Sequence, residues 1–281
     1  MSQIKGLIKI SRPMSTLTGV LAVVMGGYVA NTGAWLKVGL AGLATMLVSA
    51  AANAWNDYLD IEIDKINQPK RPLPSGMVSP RIVWVFSLVT AGLSLLFAAF
   101  INWPAFLIAL LSNILLYIYS WRLKSTVLMG NATVAFISAM SAVYGGVAAG
   151  NFKPALWLAS IIFVGIMGRE ILKTLADYEG DLHQQVHTIA TVWGKRTARI
   201  FFYILVSVTL VLMLMPYLLN IYRPIYAYIV GIGVYPVILY VIVRVSRYRS
   251  GPQLEKLSQL LKYDFLIWFL AVLLGALPMT G

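Results

Sequence analysis

The chain contains apolar runs that approach 20 residues, and these constrain its fold more than any other feature. Folded as a helix, such a run crosses a bilayer core of about 30 Å. Hydrophobic residues make up 59% of the 281 residues and charged residues only 11%, a balance that soluble domains rarely reach. The runs lie near residues 13–30, 38–57, 82–100, 105–121, 127–148, 155–173, 200–219, 225–243 and 262–279. They predict an all-α membrane protein, with a single integral domain over residues 1–281 and a bundle of about nine transmembrane helices.

The basic residues indicate how this bundle is oriented. Lys37, Lys153 and Arg223 lie on the side of the short, nearly uncharged connections, and the remaining 19 of the 22 lysines and arginines lie on the opposite side. By the positive-inside rule, the N-terminus and the polar loops face the cytosol and the C-terminus lies outside. Anchoring to anionic lipid headgroups then explains the net charge of +12. We therefore expect a multi-pass protein of the cell membrane that binds no nucleic acid.

Eight of the ten acidic residues lie in two short segments, 57–64 and 170–181, each at the cytosolic end of a predicted span. Ionisable groups at such positions are costly and usually functional. The chain has no cysteine, which excludes disulfides, thiolate catalysis and Cys-based metal sites. His183 and His187 have the i, i+4 spacing of zinc ligands, but a third ligand is missing and their segment has the composition of a loop.

The first acidic segment is predicted to bind a divalent cation. At 100° per residue, one helix face within about 60° of arc carries three carboxylates, which repel one another unless a cation lies between them. Hard oxygen ligands favour Mg²⁺, which proteins commonly hold by one or two carboxylates together with substrate phosphates. The alternative is a solvated helix end with an asparagine that joins two helices. Glu62 points away from the face, which consists of Asn53, Asp57, Asp60 and Asp64, with Asn56 at its border.

A proline-stiffened loop follows this segment. It presents Lys70 and Arg71 beside the predicted metal site, and arginine suits bidentate contacts with phosphate. Anchoring to lipid headgroups is the alternative role for these two cations.

The second acidic segment carries its polar side chains on one side of a predicted helix, with Glu179 facing away. Asp57 and Asp177 are separated by four predicted spans, so both helices end on the same side and are expected to face each other as a two-metal clamp. Metal ions would make a bound diphosphate a better leaving group. A buried ion pair, Glu170–Lys173 or Asp177–Arg169, is the alternative. The shared side consists of Glu170, Lys173, Thr174, Asp177 and Asp181.

Four motifs, in order along the chain, resemble those of one family. The segment Asn56–Asp64 resembles the NDxxDxxxD motif of the UbiA superfamily of intramembrane prenyltransferases, and Lys70–Gly76 resembles the RPLPSG loop that follows it there. Asp177–Asp181 resembles the second, DxxxD motif. The segment Tyr119–Lys124, together with Gly130-Asn131, resembles the second cytosolic loop and the helix start after it.

The resemblance implies a bundle around a central cavity, which long isoprenyl chains enter from the membrane. Mg²⁺ would bind an isoprenyl diphosphate, and a lipid acceptor would attack the allylic cation that remains when the diphosphate leaves. No obligatory protein partner is implied. The implied metal-binding and catalytic residues are Asp57, Asp60, Asp64, Asp177 and Asp181. The implied substrate-binding residues are Asn53, Asn56, Lys70, Arg71, Lys124, Arg169, Glu170, Lys173 and Tyr119, and the aromatic rings considered for the cation are Tyr58, Tyr117, Tyr119, Tyr144 and Tyr178.

Within the superfamily, the segment Gly168–Lys173 with Glu179–Asp181 looks most like archaeal digeranylgeranylglyceryl phosphate synthases. That resemblance implies transfer of a geranylgeranyl group to geranylgeranylglyceryl phosphate, although Thr174 and Ala176 stand where those enzymes usually carry Asp and Glu. Chlorophyll synthases and homogentisate prenyltransferases are the nearest alternatives. A CDP-alcohol phosphotransferase fits less well, because this chain lacks the motif of that class. A cation transporter also fits less well, because transport needs polar residues near the bilayer midplane.

Two cations bear on the nature of the acceptor. Arg169 and Lys173 lie in the last turns of a predicted span, where a charge without a partner is expensive. We therefore expect them to bind a phosphate on the acceptor.

Overall fold

The computed structural model describes residues 2–31, 33–248 and 250–276, and throughout these ranges the regular structure is helical. Eight helical segments are long and apolar enough to cross a membrane. The pair Gln3–Ser11 and Thr16–Val29, bent by 54°, makes a ninth if it forms one span. The prediction of about nine helices is confirmed.

The helices follow one another with short connections. In chain order they are α1 Ser2–Ser11, α2 Pro13–Val29, α3 Trp35–Leu59, α4 Ile61–Asn67, α5 Pro80–Ala99, α6 Trp103–Trp121, α7 Met129–Ala148, α8 Ala155–Ala176, α9 Tyr178–His183, α10 Ile189–Val192, α11 Gly194–Leu218, α12 Pro224–Ile229, α13 Tyr235–Arg247 and α14 Gly251–Gly275. A 3₁₀ turn lies at Leu123–Ser125, and a π-helical turn, Val230–Val234, joins α12 to α13.

The last helix differs from its predicted extent. The run at 262–279 predicted a start at residue 262, whereas α14 begins at Gly251, and residues 277–279 lie outside the described part of the chain. The additional turns are amphipathic: Leu254, Leu257 and Leu261 are buried on one side, while polar residues occupy the other. A helix stabilised by one apolar stripe does not need a continuous apolar run.

The chain divides into two compact units, Met1–Lys124 with Met140–Ala155, and Ser125–Ala139 with Leu156–Gly281. In the first unit, α3 is the central helix and packs against α1, α2, α5 and α6. Its buried face is rich in alanine, including Ala41, Ala44 and Ala51. Small side chains let helix backbones approach closely inside a membrane.

The closest approach in the first unit joins α2 and α7. A Cβ atom at Gly145 would lie 1.8 Å from the Val23 carbonyl oxygen, and one at Gly26 would lie 1.9 Å from that of Ala142. Both distances are far below van der Waals contact, so only glycine fits at these two positions.

The second unit is built around α14, which packs against α12, α13 and the π-helical turn. Trp268 of α14 is fully buried, and its Nε1 donates to the Tyr226 hydroxyl at 3.1 Å. Tyr226 donates in turn to the Met213 carbonyl at 2.6 Å. This chain of hydrogen bonds satisfies the polar atoms of two large aromatic side chains in the core.

Both acidic segments contain a helix break that the sequence did not predict. The continuous helix expected through residues 53–64 is interrupted at Asp60, between α3 and α4. The helix predicted to carry Glu170, Asp177 and Asp181 on one side is interrupted at Asp177, between α8 and α9. Asp60 and Asp177 have ψ angles of 8° and 2°, values that turn the backbone away from the helix path.

Candidate active site

The carboxylates of the first acidic segment lie at the junction of α3 and α4. Asp57 is in the last turn of α3, Asp60 is the residue between the helices, and Asp64 is in α4. Asp57 and Asp64 are nearly buried, with side chains 4% and 7% exposed, and Asp60 is 17% exposed. Such low exposure is rare for acidic residues unless they are paired.

Each of these three carboxylates is paired with a cationic side chain. An Arg12 Nη atom lies 2.5 Å from an Asp57 oxygen, and an Arg71 Nη atom lies 2.7 Å from an Asp64 oxygen and 3.7 Å from Asp57. Lys124 forms an ion pair with Asp60. Asp57, which the two arginines share, is therefore the centre of a compact network of alternating charges.

Two asparagines orient this network. Asn53 accepts a hydrogen bond from Arg12 at 3.3 Å and donates to the Ser11 carbonyl at 3.3 Å. Asn56 donates to Asp60 at 3.0 Å. The structure therefore brings together Asn53 and Asn56 with the carboxylates, as the helix periodicity predicted.

The two basic residues of the proline loop differ in position. Arg71 points into the acidic cluster, whereas Lys70 is exposed and takes no part in its ion pairs. The loop is anchored by Leu73, which is 3% exposed in the core formed with Ile10 and Val83. Of the two predicted phosphate-binding cations, only Arg71 lies against the carboxylates.

An aromatic stack lies in the turns of α3 and α6 beside the acidic cluster. The Trp55 ring stacks on Tyr58 at 5.8 Å and on Tyr117 at 5.1 Å, and the Tyr117 hydroxyl lies 2.5 Å from Ser87 Oγ. Tyr119 is half-buried in the last turn of α6. Trp55 was not among the aromatic rings considered from the sequence.

The second acidic segment contains an ion-pair network of its own. Glu170 pairs with Arg169 at 3.2 Å and with Lys173 at 3.2 Å. Arg169 also donates from Nε to the Ser258 carbonyl at 3.2 Å. The alternative ion pair Glu170–Lys173 is therefore present, and the same carboxylate also pairs with Arg169, which leaves the three groups with a single net positive charge.

The environment of Asp177 and Asp181 raises the pKa of both side chains. Burial raises the pKa of Asp177, against the opposing effect of Lys173, and the neighbouring Glu255 and Glu170 raise it further. Burial also raises the pKa of Asp181 to about 6, with a further contribution from Asp177, while a hydrogen bond from Thr188 lowers it. Carboxylates that are hard to ionise in this way favour a cation beside them.

Within the two acidic segments, Glu62 and Glu179 lie apart from both networks, as predicted. Glu62 is 77% exposed and pairs only with Lys65, and Glu179 is 75% exposed and pairs with Lys195. They therefore offer matched controls for the functional carboxylates. His183 ends α9 and His187 lies in the coil beyond it, so the two do not share a helix face as zinc ligands would.

Sequence reasoning missed two residues of these networks. Arg12, between α1 and α2, was not predicted, although a charge at the entrance of a span is itself a signal. Glu255, in the first turns of α14, was not predicted either. Their partners are distant in sequence, 45 residues in the case of Arg12 and Asp57, so local patterns do not connect them.

The donor set of the first cluster fits a hard divalent cation. Its ligands are carboxylate and amide oxygens, which suit Mg²⁺. Within the described residues no three acidic or histidine side chains converge on one point, because each carboxylate of the cluster turns toward a cation of its own. Mg²⁺ commonly takes one or two protein carboxylates and completes its shell with phosphates and water, which is compatible with this arrangement.

Comparison with known proteins identifies relatives over nearly the whole chain. The sequence profile of the UbiA prenyltransferase family matches residues 15–270. A digeranylgeranylglyceryl phosphate synthase of Methanopyrus kandleri is 39% identical over 196 residues, which cover 69% of this chain and 72% of that protein. One of Pyrococcus horikoshii is 32% identical over 283 residues, covering 97% of this chain and 98% of that protein.

Solved structures support the same fold. A structure from work on digeranylgeranylglyceryl phosphate synthase in membranes superposes with a TM-score of 0.84 at 29% identity, covering 98% of this chain and 99% of that one. A UbiA homolog from Archaeoglobus fulgidus, solved with GPP and Mg²⁺, gives a TM-score of 0.67 at 22% identity, covering 94% and 99%. At that lower identity the likeness concerns the fold alone.

Proposed function

Because the chain belongs to the UbiA prenyltransferase family, we propose that it transfers a geranylgeranyl group from its diphosphate to geranylgeranylglyceryl phosphate in ether-lipid synthesis. The observation that carries this proposal is the network of three nearly buried carboxylates and three cations at the α3–α4 junction. Relatives that match almost the full chain are named for this reaction.

The first cluster supplies both kinds of group that a diphosphate needs. Mg²⁺ bound by the carboxylates would neutralise the charge that develops on the leaving diphosphate. The cations Arg12, Arg71 and Lys124 are 28–35% exposed, so their outer N–H groups remain accessible to phosphate oxygens. The planar guanidinium of arginine can donate two hydrogen bonds to such oxygens.

The aromatic stack of Tyr58, Trp55 and Tyr117 suits the allylic cation. Ring faces carry negative potential and attract a cation within about 6 Å. Trp55 and Tyr58 lie within one turn of Asp57 along α3, and Tyr117 of α6 stacks on Trp55. We propose that this stack lies along the path of a prenyl group whose diphosphate is held at Asp57. Water must be kept from the cation, which it would otherwise capture.

The second cluster is proposed to contribute metal-binding carboxylates, Asp177 and Asp181, and a contact with the acceptor phosphate. Glu170 neutralises one of its two neighbouring cations. Arg169 is 15% exposed and bonded to a backbone carbonyl, whereas Lys173 is 37% exposed. The Lys173 ammonium is therefore the group that we assign to the acceptor phosphate, in place of the arginine–lysine pair.

The orientation and organisation follow from the charge distribution. Nineteen of the 22 basic residues lie on the side of the N-terminus and the two acidic segments, so we place the active site at the cytosolic face. We treat residues 1–281 as one integral domain, because the matched family profile spans both compact units. No protein partner is needed for the proposed reaction.

The test uses purified protein, radiolabelled geranylgeranyl diphosphate and Mg²⁺, with geranylgeranylglyceryl phosphate compared with its dephosphorylated alcohol, a quinone precursor and chlorophyllide. We expect label on the phosphorylated acceptor only. Lys173→Met should raise the KM for that acceptor about tenfold, the effect of losing one charge-assisted contact. The control Lys195→Met, whose lysine pairs with exposed Glu179, should leave the KM unchanged. Labelling of the alcohol as fast as of the phosphate would refute the assignment and favour the aromatic or tetrapyrrole acceptors.

A further inference from the structure

A cleft of about 390 Å³ lies between α1 and the beginning of α5, apart from both acidic networks. It is in the size range of small-molecule sites. Its lining has one cation and is otherwise apolar: Arg81, Ile82, Val85, Phe86 and Val89 of α5, and Leu7 of α1.

The lining residues make the cleft complementary to an amphiphilic molecule. Positions 82, 85, 86 and 89 form one face of α5, so the apolar wall extends about 12 Å along the helix from Arg81 at its first turn. Arg81 is exposed and, within the described residues, forms no hydrogen bond or ion pair through its guanidinium. An apolar cleft with an unpaired cation at one end is complementary to a molecule that has a hydrocarbon chain and an anionic headgroup.

The helix that covers the cleft has the features of an interfacial helix. Ile4 and Ile8 of α1 are 66% and 56% exposed on the side next to Leu7, and the exposed Lys5 and Lys9 lie about a quarter-turn further around the helix. Exposed isoleucines flanked by lysines are typical of a helix that lies in the headgroup region of a bilayer. Arg81 is then at headgroup depth and Val89 is among the lipid chains.

The cleft is separated from the diphosphate network by packed side chains. Leu7, Ile82 and Phe86 contact a core formed by residues such as Ile10 and Val83, and Tyr58 packs against the same core next to Asp57. None of the six lining residues belongs to the ion-pair network of Asp57, Asp60 and Asp64. This separation argues against the prenyl diphosphate as the occupant.

We propose that this cleft binds one anionic phospholipid of the bilayer, with its phosphate on Arg81 and one chain along Val85 and Val89. Charge complementarity selects an anionic lipid over a zwitterionic one, because each basic residue near an anionic membrane surface contributes about 1 kcal/mol. The same lipid holds α1 against α5. Since α1 leads directly into Arg12, the lipid also fixes the segment that carries the Asp57 ion pair.

Native mass spectrometry of the delipidated full-length protein tests this proposal. We expect one molecule of dioleoyl phosphatidylglycerol to bind about fivefold more tightly than dioleoyl phosphatidylcholine. Arg81→Gln should abolish this preference, while the control Arg196→Gln, which changes another exposed cation, should keep it. Val85→Trp, at a side chain that is 43% exposed, should fill the cleft and weaken binding of both lipids without disturbing the core.

Three outcomes of the binding measurements would overturn the proposal. The first is equal binding of the two lipids by the wild type, and the second is an identical effect of Arg81→Gln and Arg196→Gln. The third is one-for-one displacement of the bound phosphatidylglycerol by geranylgeranyl diphosphate or geranylgeranylglyceryl phosphate, which would make the cleft a substrate site. Hydrogen–deuterium exchange of the wild type provides a check without any variant: phosphatidylglycerol should slow exchange in α1, and an unchanged rate would also overturn it.

Discussion

Asp57→Asn separates a catalytic role for the first cluster from a structural one. The Asp57 carboxylate is 4% exposed and lies 2.5 Å from Arg12 and 3.7 Å from Arg71. If its charge helps bind the metal and diphosphate, its removal should lower kcat about 10²-fold, or about 2.7 kcal/mol, as for loss of one electrostatic stabiliser. The assay is the initial rate of label transfer at saturating substrate and Mg²⁺.

The same substitution has a smaller cost in stability. Breaking a fully buried ion pair costs about 3–5 kcal/mol, but both arginine side chains are 35% exposed and water can solvate them. We therefore expect about 1 kcal/mol, at the upper end for exposed pairs, measured by thermal unfolding in detergent. Adding Arg12→Met should recover part of this stability and none of the activity.

Glu62→Gln is the control for this prediction, because Glu62 lies on the same segment but is 77% exposed and pairs only with Lys65. It should keep kcat within about twofold, since surface ion pairs contribute little. Equal losses for Asp57→Asn and Glu62→Gln, or full recovery of activity in the Asp57→Asn/Arg12→Met protein, would refute the catalytic assignment.

Three further predictions concern the second cluster and the fold. Asp177→Asn should lower kcat about 10²-fold while the exposed-site control Glu179→Gln stays near wild type; similar rates for both would remove the second cluster from the mechanism. Because burial raises the pKa of Asp181 to about 6, its proton competes with the metal below that pH, and the apparent Mg²⁺ affinity should fall about tenfold per pH unit; a constant affinity from pH 7 to 5 would contradict this. Gly145→Ala places a Cβ 1.8 Å from the Val23 carbonyl and should cost about 1–3 kcal/mol in thermal unfolding, whereas Gly39→Ala, with nothing within 4 Å, should be harmless, and equal stabilities would argue against the close packing of α2 on α7.

The helices and the acidic faces could be predicted from the sequence because both depend on local periodicity. Apolar runs of span length indicate membrane helices, and the spacing of Asn53, Asp57 and Asp64 placed all three in one network. The start of α14 was missed since its first turns are amphipathic. Local patterns also gave no sign of the breaks at Asp60 and Asp177.

The partners of the carboxylates could not be predicted in the same way. Lys124 reaches Asp60 across 64 positions, and Arg12 reaches Asp57 across 45. Such pairs are set by how α1, α3 and α6 pack, which a single sequence does not specify. For Glu170, the spacing relative to Lys173 allowed either a substrate contact or an ion pair, and the structure contains the ion pair.

Measuring whether turnover requires Mg²⁺ tests the proposal that the carboxylates act through a bound metal ion. Purified wild-type protein would be incubated with labelled geranylgeranyl diphosphate and geranylgeranylglyceryl phosphate, first in EDTA and then with excess Mg²⁺, while product and released diphosphate are measured together. We expect neither product nor diphosphate in EDTA, and both in equal amounts once Mg²⁺ is restored. Full turnover in EDTA would contradict it, because the carboxylates of Asp57, Asp60 and Asp64 would then act without the metal that they are proposed to hold.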